Sequence, residues 1–404
     1  MTRPALLLLT TVLVAAGCAE PPAGVGASSR TTLPRGGIRV EYQDLGDPTH
    51  RLVEELRLGR QDAPPGEPAH DLFGDIRGLE VDGGGNIYVL DYQAKELRKF
   101  DADGEYLATL MVPGSGPGEV QQPFGIRFDG EGRLWVVDSG TDRVTVLRQD
   151  GGIADELDWR VRQWGFTWRG APVGGRYWDF VSDLDREGLE RRLQEFVNTR
   201  GVTRSNALDI AKGFGETEEA DTQFVVGGFE YTGIRYPRGS SGIPFMPQPH
   251  TLITSQGHLW DARPPGYQFT KLSLAGDTLL WVSATPPEAI IPSEARRGAI
   301  ENMEQTMERI GWVDVDWSIL PETYPPVFAI FPDDSGGLWV LRQSPEGQVI
   351  DMFGEDGSHL GTANVSAPLL PVPGVITSGK LHMVLMSEAS APVVVRYRLE
   401  RLDP

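Results

Sequence analysis

The chain has 404 residues, 37 of them basic and 57 acidic, which gives a net charge of −20 at pH 7. That balance opposes binding to nucleic acid or to anionic lipid, and no nucleic-acid partner is expected. Apolar residues make up 40% and the only cysteine is Cys18, which excludes both a disordered chain and a disulfide-stapled scaffold.

The first element is a targeting segment over residues 1–17. Arg3 precedes a largely apolar run from Ala5 to Ala16, about a dozen residues and too short to span a bilayer. It leads into Ala15-Ala16-Gly17-Cys18, which resembles a bacterial lipobox. The resemblance implies that Cys18 becomes the acylated N-terminus, held firmly at a membrane surface by several chains. The alternative is an ordinary secretory signal with an incidental Cys18. Ala19 in place of Asp points to the outer membrane of a Gram-negative cell envelope. Residues 18–36 are rich in Pro, Gly, Ser and Thr and read as a flexible tether. Without Arg3, 36 basic and 57 acidic residues leave a net charge of −21.

Residues 37–404 read as one domain built from a repeat. Gly78-Leu79-Glu80-Val81-Asp82 with Gly85 to Asp91 recurs 47 residues later as Gly125-Ile126-Arg127-Phe128-Asp129 with Gly132 to Asp138. Each copy alternates apolar and polar residues, turns at an Asp-Gly cluster, and continues as a wholly apolar run, Ile87 to Leu90 in the first. Two more strands follow, Leu97 to Phe100 and Tyr106 to Leu110. Four antiparallel strands at this period make one propeller blade. Weaker copies surround Leu259-Trp260, Leu338-Trp339 and Leu381-His382. The expected fold is all-β, a six-bladed β-propeller of four-stranded blades near 70–112, 120–158, 160–236, 248–285, 325–363 and 369–400. The last blade borrows strands from 37–58. The aromatic at one place in the second strand (Tyr88, Trp135, Trp260, Trp339) is expected to fill the space between blades.

The copies over 78–110 and 125–153 resemble NHL repeats. Gly114-Ser115-Gly116-Pro117-Gly118-Glu119-Val120 and Ile243-Pro244-Phe245-Met246-Pro247-Gln248-Pro249 are similar to linkers of bacterial six-bladed propeller lipoproteins, with Val120 where those proteins have Phe. The resemblance covers nearly all of the mature chain and implies the fold, but no chemistry that can be carried over residue by residue.

Two inserts interrupt the repeat. Between the fourth and fifth blades, 292–311 has helical periodicity, with Ile300, Met303, Met307 and Ile310 on one face and Ser293 placed to cap. Its stripe is expected to pack on the propeller rim. A weaker helical pattern, 186–196, lies in the third blade behind Trp164, Trp168, Tyr177 and Trp178, with Arg162, Arg169 and Arg176 nearby. That density suits either a ligand pocket or ordinary inter-blade packing.

Catalytic motifs are sparse. The turns at Asp82, Asp101 and Asp333 lack the distal carboxylate of a calcium loop and read as hairpin turns. The six histidines form no close ligand pair, and no Gly-x-Ser-x-Gly elbow occurs. Related propellers include zinc amidating lyases and calcium-dependent lactonases, so a channel site remains an alternative. Residues expected at the leading ends of first strands are Asp75, Arg77, Gln122 and His250. The candidate ligand-binding set is Arg77, Gln122, Trp168, Trp178 and His250, with Cys18 the lipidation site and no catalytic or metal residue assigned. The expected function is a monomeric, lipid-anchored binding or scaffold module for a protein, peptide or glycan, without a cofactor. The alternatives are a metal-dependent lyase or lactonase with Ca or Zn at the central channel, and a structural envelope protein.

Overall fold

Short runs of β-branched and aromatic residues, punctuated by Asp-Gly turns, leave the chain little choice but antiparallel sheets. The computed structural model describes residues 28–403 apart from 63–65, 67–68, 160–167, 183–200, 215–221, 237–238, 311–314, 367–368, 370–373 and 388–389. The targeting segment, Cys18, the tether as far as residue 27, Arg162, Trp164 and the helical pattern at 186–196 lie outside the described residues.

Three strands precede the repeat: β1 (Ser28–Thr32), β2 (Ile38–Tyr42) and β3 (His50–Leu58). The first blade is β4 (Ile76–Val81), β5 (Ile87–Asp91), β6 (Glu96–Phe100) and β7 (Tyr106–Pro113), followed by the linker strand β8 (Glu119–Val120). The second is β9 (Pro123–Phe128), β10 (Leu134–Asp138), β11 (Arg143–Leu147) and β12 (Ile153–Asp158). The third is β13 (Ala171–Val173), β14 (Arg176–Ser182) and the long hairpin β15 (Gly201–Phe214) and β16 (Thr222–Tyr236), edged by β17 (Gly239–Gly242). The fourth is β18 (His250–Ile253), β19 (His258–Ala262), β20 (Gln268–Ser273) and β21 (Thr278–Ser283), after which comes helix α1 (Ser293–Ile310). The fifth is β22 (Ala329–Pro332), β23 (Leu338–Ser344), β24 (Gly347–Phe353) and β25 (His359–Asn364). The sixth combines β26 (Gly374–Thr377), β27 (Lys380–Met386) and β28 (Pro392–Arg401) with β3. The strands thus form six four-stranded antiparallel sets, and the fold is an all-β propeller.

Both chain ends meet in the last set, where β3 runs antiparallel to β28 from Val394↔Leu58 to Arg401↔His50. Only 50–58 of the expected 37–58 do this. β2 instead runs parallel to β21, from Ile38↔Leu280 to Glu41↔Ser283, as an added edge strand of the fourth blade. β1 pairs with β2, so residues 28–32 form a strand where a tether was expected. The cause is local: Val40 and Tyr42 bury beside Leu280, Val282 and Phe353. The Tyr42 hydroxyl donates to the Gly357 carbonyl and accepts from the His359 N–H, both at 2.8 Å.

The aromatic stripe is core. Tyr88, Trp135, Trp260 and Trp339 are each at most 4% exposed and pack between successive blades. Their polar tips are satisfied where Asp82 accepts from the Tyr88 hydroxyl and Asp129 from Trp135 Nε1. The same aspartates close their own turns through backbone N–H groups, Asp82 from Gly84 and Asn86, Asp129 from Glu131 and Arg133. In α1, Met307 buries against Ile234, Ile243 and Leu320, with Ile300 and Met303 beside it, so the helical stripe covers the rim as expected.

One buried polar network joins the fourth and fifth blades. The Asp351 carboxylate, fully buried, accepts from Arg342 Nε at 2.6 Å, the Tyr267 hydroxyl at 2.8 Å and the Thr362 hydroxyl at 2.7 Å. Removing one partner of such a pair strands the other charge without solvent. Asp351→Ala should cost about 3–5 kcal/mol in urea unfolding; a loss below about 1 kcal/mol, the range of exposed pairs, would show that the network contributes little.

Candidate functional site: the central channel

In each blade the first strand pairs with the second and turns its other edge to the axis. β4 lies against β9 and β26, β9 against β13, and β22 against β26. Two repeat-equivalent glycines permit the closest approaches. A Cβ on Gly78 would sit 2.7 Å from Ile126 Cγ1, and one on Gly125 would sit 2.3 Å from Trp168 Cβ.

The leading ends of β4 and β9 are held by two buried carboxylates 47 residues apart, Asp91 and Asp138. Asp91 accepts from the N–H groups of Gly74, Asp75, Gln93 and Ala94 at 3.0–3.2 Å. Asp138 accepts from the N–H groups of Gln121, Gln122 and Gly140 and from the Thr141 hydroxyl at 2.7–2.9 Å. Multiple charge-assisted bonds to one carboxylate fix the loops that lead into the channel.

The strands enclose a cavity of about 430 Å³ with walls from the first strands of five blades and, from the third, Trp168 and Arg169 just ahead of β13. Arg77, Arg169 and His250 stand at its mouth. A bulge between Ile76 and Gly78 re-aims Arg77; its guanidinium pairs with Asp75 at 3.0 Å and lies 3.3 Å from the Tyr92 ring centre. The His250 ring is half-buried but walled in. Burial holds it well below the usual imidazole value, at about 4, with the Arg169 charge acting the same way and the Val327 carbonyl partly offsetting both.

Deeper in the wall, Glu80 and Arg127 form an ion pair at 2.7 Å. They occupy the same place in the two repeats, opposite Tyr88 and Trp135 respectively. Burial raises the Glu80 pKa, and the Arg127 charge and hydrogen bond oppose the rise. At the far end Asp334 accepts from the Thr377 hydroxyl and the Ser378 N–H, and its carbonyl accepts from Gln256 Nε2.

The candidate ligand residues therefore separate. Arg77 and His250 reach the channel. Trp168 contributes to the wall, but it is 2% exposed and its ring packs edge-on to Trp159 in the core between the second and third blades. Trp178 sits opposite Ala171 as Tyr88 sits opposite Glu80, which makes it the third blade's member of the aromatic stripe, away from the channel. Gln122 is exposed and forms no part of the channel wall; its backbone serves Asp138. Sequence reasoning missed the Glu80–Arg127 pair, although opposite charges 47 residues apart in a two-copy repeat were a usable signal. Among the described residues no three His, Cys, Asp or Glu side chains gather as a metal site.

No family model matches the chain. A stretch of 126 residues, 30% of the chain, is 30% identical to the mouse (Mus musculus) protein NHL repeat-containing protein 3. It spans only a third of that protein's length. Among solved structures, a member of the DUF4221 family from Bacteroides vulgatus is 10% identical with a TM-score of 0.49, over 88% of this chain and 99% of that one. Catalytically inactive virginiamycin B lyase from Staphylococcus aureus with quinupristin is 12% identical with a TM-score of 0.36, over 92% and 95%. The 126-residue stretch is thus similar to part of an NHL repeat protein, and the chemistry of all these proteins is their own.

The depressed His250 value has a stability consequence. An unfolded histidine takes up its proton near pH 6.5, whereas the folded ring does so near pH 4. Between those values the unfolded chain binds more protons, so stability falls as pH falls through the window and levels off below it. His250→Gln should flatten the dependence of the urea midpoint on pH across that range; an unchanged slope would mean that the ring charges normally.

Proposed function

We propose that this chain is a lipid-anchored, extracytoplasmic binding module whose ligand, a protein, peptide or glycan, engages the central channel. The observation that carries the reading is the lining: a 430 Å³ cavity whose walls mix two arginines and an imidazole at the mouth with apolar Leu252, Phe331 and Val375 deeper in. Mostly apolar cavities with a few convergent polar groups suit recognition of a ligand. A metal-dependent lyase or lactonase would need several donors at one point, which the described residues do not supply. The Ala15-Ala16-Gly17-Cys18 segment supports anchoring at the cell envelope, with the outer membrane favoured by Ala19.

Two measurements test this. A photo-crosslinking amino acid placed at Leu252, on the channel wall, should capture a ligand in intact cells. One placed at Leu107, exposed on the outer strand β7, should not. Capture from Leu107 alone would move binding to the rim and overturn the channel reading. For the anchor, Cys18→Ala should shift the protein from the membrane to the soluble fraction; retention on the membrane would refute acylation.

A further inference from the structure

We propose that the channel mouth is a carboxylate-binding site in which Arg169 grips the anion and His250 stands beside it. This deepens the channel-binding reading and rests on it. The argument starts from register. The residues opposite the second-strand aromatics, or opposite His382 in the sixth blade, are Glu80, Arg127, Ala171, Leu252, Phe331 and Val375. Two residues earlier in each strand the described residues are Gly78, Gly125, Arg169, His250 and Ala329. At these positions, among the described residues, the repeat supplies glycine or alanine in three blades and polar side chains in adjacent blades three and four.

Arg169 is set differently from the other channel arginines. Arg77 is paired with Asp75, and Arg127 with Glu80. Among the described residues no carboxylate lies within ion-pair distance of Arg169. Its guanidinium instead lies 4.9 Å from the Phe180 ring centre. Its backbone is tied to β18 by the Ile253 N–H, which donates to the Arg169 carbonyl at 2.9 Å. A ring against one face of a guanidinium leaves its N–H edge open for two parallel bonds to a planar anion. Gly78 and Gly125 place no side chain at that level across the channel. The neighbours decide the class of anion. One uncommitted arginine beside an uncharged imidazole balances the single charge of a carboxylate, whereas a phosphate dianion calls for a second cation. Inward of the carboxylate, Leu252 and Phe331 offer apolar surface to the rest of the ligand.

A peptide C-terminus and an acidic sugar both carry such a group. Titration calorimetry of the purified mature protein with N-acetyl-trialanine against its C-terminal amide, and with galacturonate against its methyl ester, separates them. At least one acid should bind tenfold or more tightly than its neutral partner, and the identity of that acid names the source. Arg169→Gln should abolish the difference. Arg169→Lys, which keeps the charge but loses the fork, should fall between. Equal binding of acid and neutral forms, or full acid binding by Arg169→Gln, overturns the carboxylate site while channel binding stands. If no probe binds yet Leu252 still cross-links a ligand, the carboxylate site falls alone; if cross-linking is also absent, both fall.

Discussion

The structure depends on one non-covalent closure. A propeller blade buries its faces only against its neighbours, so an open ring exposes two apolar blade faces at once. Here β3 closes it. The strand is held antiparallel to β28 over most of its length and touches β25 in parallel at Ala363↔His50 and Asn364↔Arg51. Blades five and six therefore share one eight-stranded sheet. Leu58 joins Val384, Val394 and Phe73 in the core between blades six and one, and Leu52 joins that between five and six. A strand from the N-terminal end thus finishes the blade made by the C-terminal end, and the six blades can come together around one cavity.

The strands that precede the closing strand lie on the outside of the ring. β2 lies at the seam of blades four and five, pinned by Tyr42, and β1 folds back on it with Arg30 paired to Asp356 at 2.9 Å. β1 is therefore the outermost strand of the fourth blade's sheet, at the opposite end from β18 and the channel.

Much of the fold was legible because the interactions that build it are local. Period-two alternation, Asp-Gly turns and the aromatic in each second strand all act within a few residues, and the same solution appears twice at an offset of 47. The partnership of β2 with β21 was not legible. It joins residues 38–41 to 280–283, and nothing in either segment alone specifies a parallel edge. The candidate site suffered from a related ambiguity. Trp168 and Trp178 drew attention as an aromatic cluster beside arginines, but a propeller needs large rings between its blades. Only the strand register distinguishes these core residues from Arg169 next to them. Register also makes sense of Glu80 and Arg127, which look like unrelated surface charges until their shared repeat position sets them side by side.

An anion site in a chain of net charge −20 is physically consistent because the two facts act over different distances. Exposed carboxylates on the outer strands lie many ångströms from the axis, and at physiological ionic strength their field is screened with a Debye length of about 8 Å. Inside the channel the nearest charges dominate. Asp75 beside Arg77 and Glu80 in the wall are each already paired, with Arg77 and Arg127 respectively. The net charge should therefore slow the approach of an anion at low salt more than it weakens the bound state. What it selects is a ligand whose negative charge is small and confined to the end that enters the channel. A polyanion would meet the acidic exterior before it reached Arg169.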